Sequence, residues 1–388
     1  MIVNLFFISM LMVIYPIALY PFMLFVISRF FKQFPARYTS PSHQPRVSII
    51  TVVRNGQDNI QSKLENLTAL DYSDENLEII VASDGSNDDT IRRIESFRDR
   101  GVKILESRDH VGKITMLNRA AQQASGEILV FTDLMAMLPS HTLQQMVRWF
   151  QDSSVGGVSG RKTILCSHKG IETEQARYFG YEDLLRNLEG RVANPAANDG
   201  FLYAMRKSLF TPIPPSVTDD LYNAMGTIRQ KKRFIFDPEV IVHIPVRAKS
   251  WKQEIARRRR IVCRSLNGLW HMRVLFNCFR YGWFSWILFS HKILRRMIPF
   301  FMLLFLVSNA VLTYQDLRWG ILLLLQFLCY FMVVLYFNSQ GLGNRRKGFP
   351  LRILNAWSYF CIGNLGTLIG TGEFLFGKRY DKWDSVLK

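Results

Sequence analysis

The chain shows three hydrophobic patterns in succession. From Met1 to Ser28 no residue is charged, and about 25 residues rising ~1.5 Å each reach across a ~30 Å hydrocarbon core, even with Pro16 and Pro21 inside. This predicts an N-terminal transmembrane helix over residues 1–28. A secretory signal would instead show a basic leading region and a shorter apolar stretch ending in small residues. Arg29, Lys32 and Arg37 come directly after it, so the positive-inside rule places the N-terminus outside and the chain beyond Arg29 in the cytoplasm. Residues 29–45 are rich in Pro, Ser and Thr towards their end and read as a linker.

The second pattern, residues 46–250, alternates short apolar runs with helical periodicity. Arg46–Val53, Leu77–Ala82, Val102–Leu105 and the run Ile128-Leu-Val-Phe131 predict buried strands. Between them Ile60, Leu64, Leu67 and Leu70, then Ile91, Ile94 and Phe97, then Lys113 to Ala124 predict helices. Strands alternating with helices of this length imply βαβ units and a parallel sheet. Two of these strands run into acid, at Asp84 and Asp133, and ligands bind at the carboxyl edge of such sheets. After Ser83-Asp84, Gly85 supplies a turn and Ser86 or Asn87 the next helix cap. Further on, a helix over Thr142–Phe150, a strand over Val155–Ser159, a helix over Glu172–Glu189 and a hairpin-like closing segment at Phe234–His243 are expected. Thr218-Asp219-Asp220 opens another helix, where one acid and Thr218 serve as caps and the second carboxylate is surplus.

The third pattern mixes aromatic and basic residues. Residues 251–296, with Arg257 to Arg260 in a row, predict amphipathic helices in the membrane plane. Residues 297–337 predict a transmembrane hairpin. Residues 338–388 carry the basic loop Asn344 to Lys347, a stretch Ile353–Phe376 interrupted by Gly363, Gly366, Gly370 and Gly372, and a basic tail. Glycines and flanking charge favour an interfacial or re-entrant course for that stretch, with the C-terminus inside.

Composition narrows the function. Lys+Arg 49 against Asp+Glu 31 gives a formal net charge of +18 over 388 residues, with a mean hydropathy of +0.05. Beside the long apolar runs, this charge points to anionic lipid or a phosphorylated substrate and away from nucleic acid. Five scattered cysteines without C-x-x-C spacing read as reduced and unligated.

Val47 to Asn55, Ser83 to Thr90, Gly112-Lys113, Phe131-Thr132-Asp133, Thr218-Asp219-Asp220 and Arg257 to Arg260 together resemble the membrane-bound family 2 glycosyltransferases. These are inverting enzymes of GT-A fold that include hyaluronan, chitin and poly-N-acetylglucosamine synthases. The resemblance runs from Val47 to Arg260, and more loosely through the membrane segments. It implies an α/β, Rossmann-like GT-A domain in the cytoplasm at the inner membrane and a nucleotide-sugar donor, usually a UDP-sugar. It also implies Mg²⁺ or Mn²⁺ and a glycan or lipid-linked acceptor. By the same resemblance Asp84 contacts the donor's base and ribose, Arg54 and Lys113 belong to the donor side, and Asp133 is the first aspartate of the D-x-D metal motif. Arg258 and Arg260 are assigned to the leaving diphosphate. Asp220 matches the general base, with Asp219 in place of the family's glutamate, and Asp219 and Gly200 lie on the acceptor side.

The chain departs from the family pattern twice. Met135 stands at the second D-x-D position, where a thioether is a poor ligand for a hard cation. Ile261 stands where polymerising relatives carry the tryptophan that supports the acceptor sugar, which leaves Trp251 or Trp270 as substitutes. The expectation is therefore transfer of one or a few sugars. A processive polysaccharide synthase and a degenerate transferase acting as a membrane scaffold are the alternatives.

Overall fold

A computed structural model describes residues 1–31, 44–164, 171–245, 250–339 and 349–382. Most of the 29–45 linker, the basic loop at 344–347 and the last residues of the tail lie outside the described residues.

The centre is a seven-stranded mixed sheet: β1 (Val47–Val53), β2 (Leu77–Asp84), β3 (Val102–Ser107), β4 (Ile128–Thr132), β5 (Val155–Ile164), β6 (Leu202–Arg206) and β7 (Arg233–Ile244). Their order is β3-β2-β1-β4-β6-β5-β7. The first four are parallel, in the register Val47↔Leu77 and Val47↔Ile128, while β6 runs antiparallel to both β4 and β5. The uninterrupted apolar runs result from burial on both faces, because successive side chains alternate across the pleat. Ile50, Ile80, Leu129 and Phe131 join one core layer, with the helices Lys113–Gln123 and Asp219–Arg229. Ile49, Ile79, Ile128 and Val130 join the other, beneath the helix Gln57–Thr68. Each fully buried aliphatic side chain contributes about 1.5–3 kcal/mol.

Several local expectations are corrected. The segment expected as a hairpin is the single strand β7, which pairs parallel with β5 and slips register between Gly160 and Arg161, where Pro238, Glu239 and Val240 bulge out. The helix after Gly85 begins at Thr90 with Asp89 at its cap position, and Asp88 Oδ1 accepts from the Thr90 amide at 3.1 Å, so neither Ser86 nor Asn87 is the cap. Thr218 occupies the cap position of its helix, but its hydroxyl makes no capping bond.

Among the described residues three helical stretches are long and apolar enough to cross a membrane: Ile2–Ser28, Trp283–Gln315 and Leu317–Val334. Pro16 is absorbed in a π turn, Tyr15–Leu19, which relaxes the hydrogen-bond ladder that proline breaks. A second π turn, Phe289–Leu294, joins Trp283–Leu288 to Arg295–Gln315. The amphipathic region expected to end at residue 296 is therefore continuous with the next span. The helix Trp251–His271 precedes it and packs along Phe349–Leu375. Glycines permit that approach: a Cβ on Gly370 would stand 2.5 Å from the Arg259 carbonyl oxygen, and one on Gly366 would stand 2.9 Å from Arg258 Cβ.

Candidate active site

The parallel register brings the ends of β1, β2 and β4 to one edge of the sheet. Antiparallel β6 starts at that same edge, where the Asp133 amide donates to the Phe201 carbonyl at 3.3 Å. Asp133, Asp84, Arg54 and the Asn198–Gly200 turn consequently share one rim.

Lys113 opens its helix directly after Gly112, whose φ of 96° demands glycine. Its Nζ lies 2.9 Å from Asp133 Oδ1 and 3.7 Å from Asp219 Oδ1. Burial works against its charge, but the two carboxylates outweigh burial and hold its pKa above the ordinary lysine range. Asp219 and Asp220 form the first turn of their helix. The Tyr203 hydroxyl lies 3.4 Å from Asp219 Oδ2 and accepts from Asn223 Nδ2 at 2.9 Å. Burial, then repulsion from Asp219 and Asp199, pushes Asp220 up to about 6, against the Leu221 amide and Lys113. Gly200 faces this carboxyl: a Cβ there would sit 3.5 Å from it, so the missing side chain leaves room beside the candidate base.

Asp84 has a structural task beside the donor contact expected of it. It is fully buried, and its carboxylate accepts from the amides of Val111 (2.7 Å) and Gly112 (3.0 Å) and meets His110 Nδ1 at 2.9 Å. The carboxylate fastens the loop that leads into Lys113 and is already occupied by these groups. Arg54 is half-buried at the end of β1, where Asn55 bonds Ser86 and Asn87 and so ties the β1 and β2 loops together.

The arginine run divides between environments. Arg258 is committed to Glu254, at 2.8 Å, and lies over the rings of Tyr178 and Tyr359. Arg257 also binds Glu254 (2.7 Å), while Arg259 lies 3.3 Å from Glu373. Trp251 is buried against Tyr359 and Ile362, an internal packing role and not an open platform. Arg260 is half-buried, one helical turn before Arg264. Arg264 lies within the electrostatic reach of the carboxylates of Asp219 and Asp220. Its Nε donates to the Val217 carbonyl at 3.1 Å, and although burial lowers its pKa, Asp219, Asp220 and Asp381 pull it back. Arg264 lies beyond the consecutive four that the family motif singles out; its i, i+4 spacing from Arg260 was the available signal in the sequence. Lys63 is a second residue that the motifs do not include. It is fully buried, pushed down to about 7 by burial with Asp133 opposing, and lies on the Ile60–Leu67 face where a cation is out of place.

For a divalent cation the donor set is spare. Asp133 is 30 % exposed, Met135 supplies only a thioether, and among the described residues no group of three or more His, Cys, Asp or Glu could enclose an ion. One or two carboxylates with substrate phosphates are nevertheless the usual holding arrangement for Mg²⁺. The residues fit an ion held jointly by Asp133 and a bound diphosphate.

Residues 48–205 match the model of Glycosyl transferase family 2. Poly-beta-1,6-N-acetyl-D-glucosamine synthase of Staphylococcus aureus is 28% identical over 120 residues, 30% of this chain and 29% of that protein. The Staphylococcus epidermidis synthase is 24% identical over 234 residues, 59% of this chain and 53% of its own length. Glycosyltransferase AglE of Haloferax volcanii is 29% identical over 156 residues, 40% of this chain and 51% of that protein. The matches thus span between about a third and about half of these relatives. A solved mannosyltransferase from Pyrobaculum calidifontis, in complex with GDP-Man and Mn²⁺, superposes with a TM-score of 0.72 at 22% identity, covering 98% of this chain and 100% of that one. Motifs, sheet order and these likenesses agree on a Glycosyl transferase family 2 domain over residues 48–205, built on the GT-A fold.

Proposed function

We propose that the chain is an inverting glycosyltransferase that moves a sugar from a nucleotide-sugar, a UDP-sugar by preference, to a glycan or lipid-linked acceptor at the inner membrane, with the domain on the cytoplasmic face. The observation that carries this reading is the meeting of Lys113 with Asp133 and Asp219 beside Asp220 at one sheet edge.

Asp220 removes the proton from the acceptor hydroxyl as that oxygen attacks the anomeric carbon, and the bond to the departing diphosphate breaks on the opposite face. A base elevated to about 6 suits this role, because it is ionised at neutral pH yet still takes up a proton. The Gly200 side of Asp220 admits the acceptor. Lys113, with Arg260 and Arg264 from the helix, meets the charge of the leaving diphosphate. Asp133 would hold a Mg²⁺ or Mn²⁺ ion, which when bound offsets part of that charge.

The test is to offer the purified chain a panel of nucleotide sugars and follow nucleotide release, with and without each cation and an extracted lipid acceptor fraction. Release of one nucleotide that depends on the acceptor is expected. No release from any donor would overturn the assignment in favour of a scaffold.

A further inference from the structure

Lys63 has no part in the mechanism above, yet its environment is demanding. It is fully buried on the helix Gln57–Thr68 beside Ile60, Leu64 and Leu67, which are also fully buried. An unbranched apolar side chain would continue that face, whereas burying an amine is costly unless its hydrogen bonds are met. They are met by one short piece of chain: Nζ donates to Thr132 Oγ1 at 3.1 Å and to the Ala136 carbonyl. These two residues bracket Asp133, and the Ala136 amide closes the turn on the Asp133 carbonyl at 3.1 Å.

One turn along the same helix face, Asn66 holds the next residues. Its Nδ2 donates to the Leu138 carbonyl (2.8 Å) and its Oδ1 accepts from the Leu138 amide (2.9 Å). From the other side Met137 exchanges both backbone hydrogen bonds with His243. The turn from Thr132 to Leu138 is therefore held from beneath and from its edge. Met135 takes the place of a second carboxylate, so the orientation of one side chain, Asp133, decides how an ion and a diphosphate are received.

We propose that Lys63 is a positioning residue for the donor and metal end of the site, acting through the Thr132–Ala136 turn to aim Asp133. The proposal rests on the reading of Asp133 as the donor-side carboxylate. Its test uses the full chain in detergent, with Mn²⁺ plus UDP and, in parallel, Mn²⁺ plus GDP as probes. Binding is read by calorimetry and folding by thermal melting.

Lys63→Met leaves the Ala136 carbonyl without its buried donor and should lower the melting temperature no more than Leu64→Ala does, while weakening nucleotide-dependent Mn²⁺ binding by about 10–100-fold, the usual effect of removing a group that orients a metal ligand. Leu64→Ala, its core neighbour, should lower the melting temperature and leave Mn²⁺ affinity unchanged. Thr132→Val removes one of the two acceptors with little change of shape; it should weaken binding by less, and it decides the matter if Lys63→Met does not fold. Wild-type Mn²⁺ affinity in a folded Lys63→Met, or in Thr132→Val where Lys63→Met does not fold, would overturn the proposal. A wild-type chain that binds neither nucleotide, with or without Mn²⁺, would fail the Asp133 reading itself and this proposal with it.

Discussion

At the scale of single residues, Asp220 and Asp84 are carboxylates with opposite circumstances. Asp220 lies half-buried next to Asp219, elevated to about 6, with space in front of it. Asp220→Asn is expected to reduce transfer by ~10²–10⁴-fold while donor affinity stays within a few-fold, as isothermal titration and initial rates will show. Because the ionised form is the active one, kcat/KM of the wild type should hold above pH 6 and fall as pH drops through about 6. A flat profile down to pH 5 would remove the base assignment. Asp84 already accepts from two amides. Asp84→Ala leaves those donors buried and unmatched, a cost of about 1–3 kcal/mol for each. A lower melting temperature is expected, together with weaker donor binding as the loop into Lys113 loosens. Asp84 and Asp133 could be found from sequence because each ends an apolar run. The occupation of Asp84 by Val111 and Gly112 could not, since those partners lie 27 and 28 residues away.

At the scale of elements, the contact between Trp251–His271 and Phe349–Leu375 sets which arginine faces which partner. Gly363 and Gly366 lie against Arg258, and Gly370 lies against the Arg259 backbone, whereas Gly372 has open space around it. Gly370→Ala should force the helices apart and cost ~1–3 kcal/mol. Gly372→Ala should be neutral or stabilising by up to ~1 kcal/mol, from helix propensity alone. Thermal melts of the two variants test this, and equal shifts would mean that the close approach is not what the glycines serve. Four consecutive arginines must point around the helix. Which of them turns towards a diphosphate depends on where the partner helix docks, and local sequence does not carry that.

At the scale of the whole molecule, buried hydrogen bonds and an ion pair tie the domain to its apolar helices. Tyr20 donates to Glu189 at 2.6 Å, His291 Nδ1 lies 2.5 Å from the same carboxylate, and Arg295 lies 2.5 Å from Glu182. The helix Ile171–Val192 is thereby held to both long apolar stretches. With the domain inside, as proposed, the turn at Asp316 between the second and third stretches faces outward. A cysteine at Asp316 should react with an impermeant maleimide added outside intact cells, while exposed Cys278 stays protected. The reverse pattern would invert the topology. Trp251 is packed away and Ile261 offers no aromatic face, so purified chain should yield short products when radiolabelled material is sized, and a high-mass ladder would refute this.

The apolar runs by themselves determined the first four strands, the N-terminal membrane-length stretch and the strand-end acids, because burial on both faces of a sheet or within lipid leaves an unbroken hydrophobic signature. Only the tertiary structure decided that Asp84 fastens a loop, that Arg264 comes within the field of Asp219 and Asp220, that Arg258 pairs with Glu254 and that Lys63 bonds to both sides of Asp133. Each of those depends on hydrogen bonds or helix packing between segments distant in sequence, whose geometry no local pattern encodes.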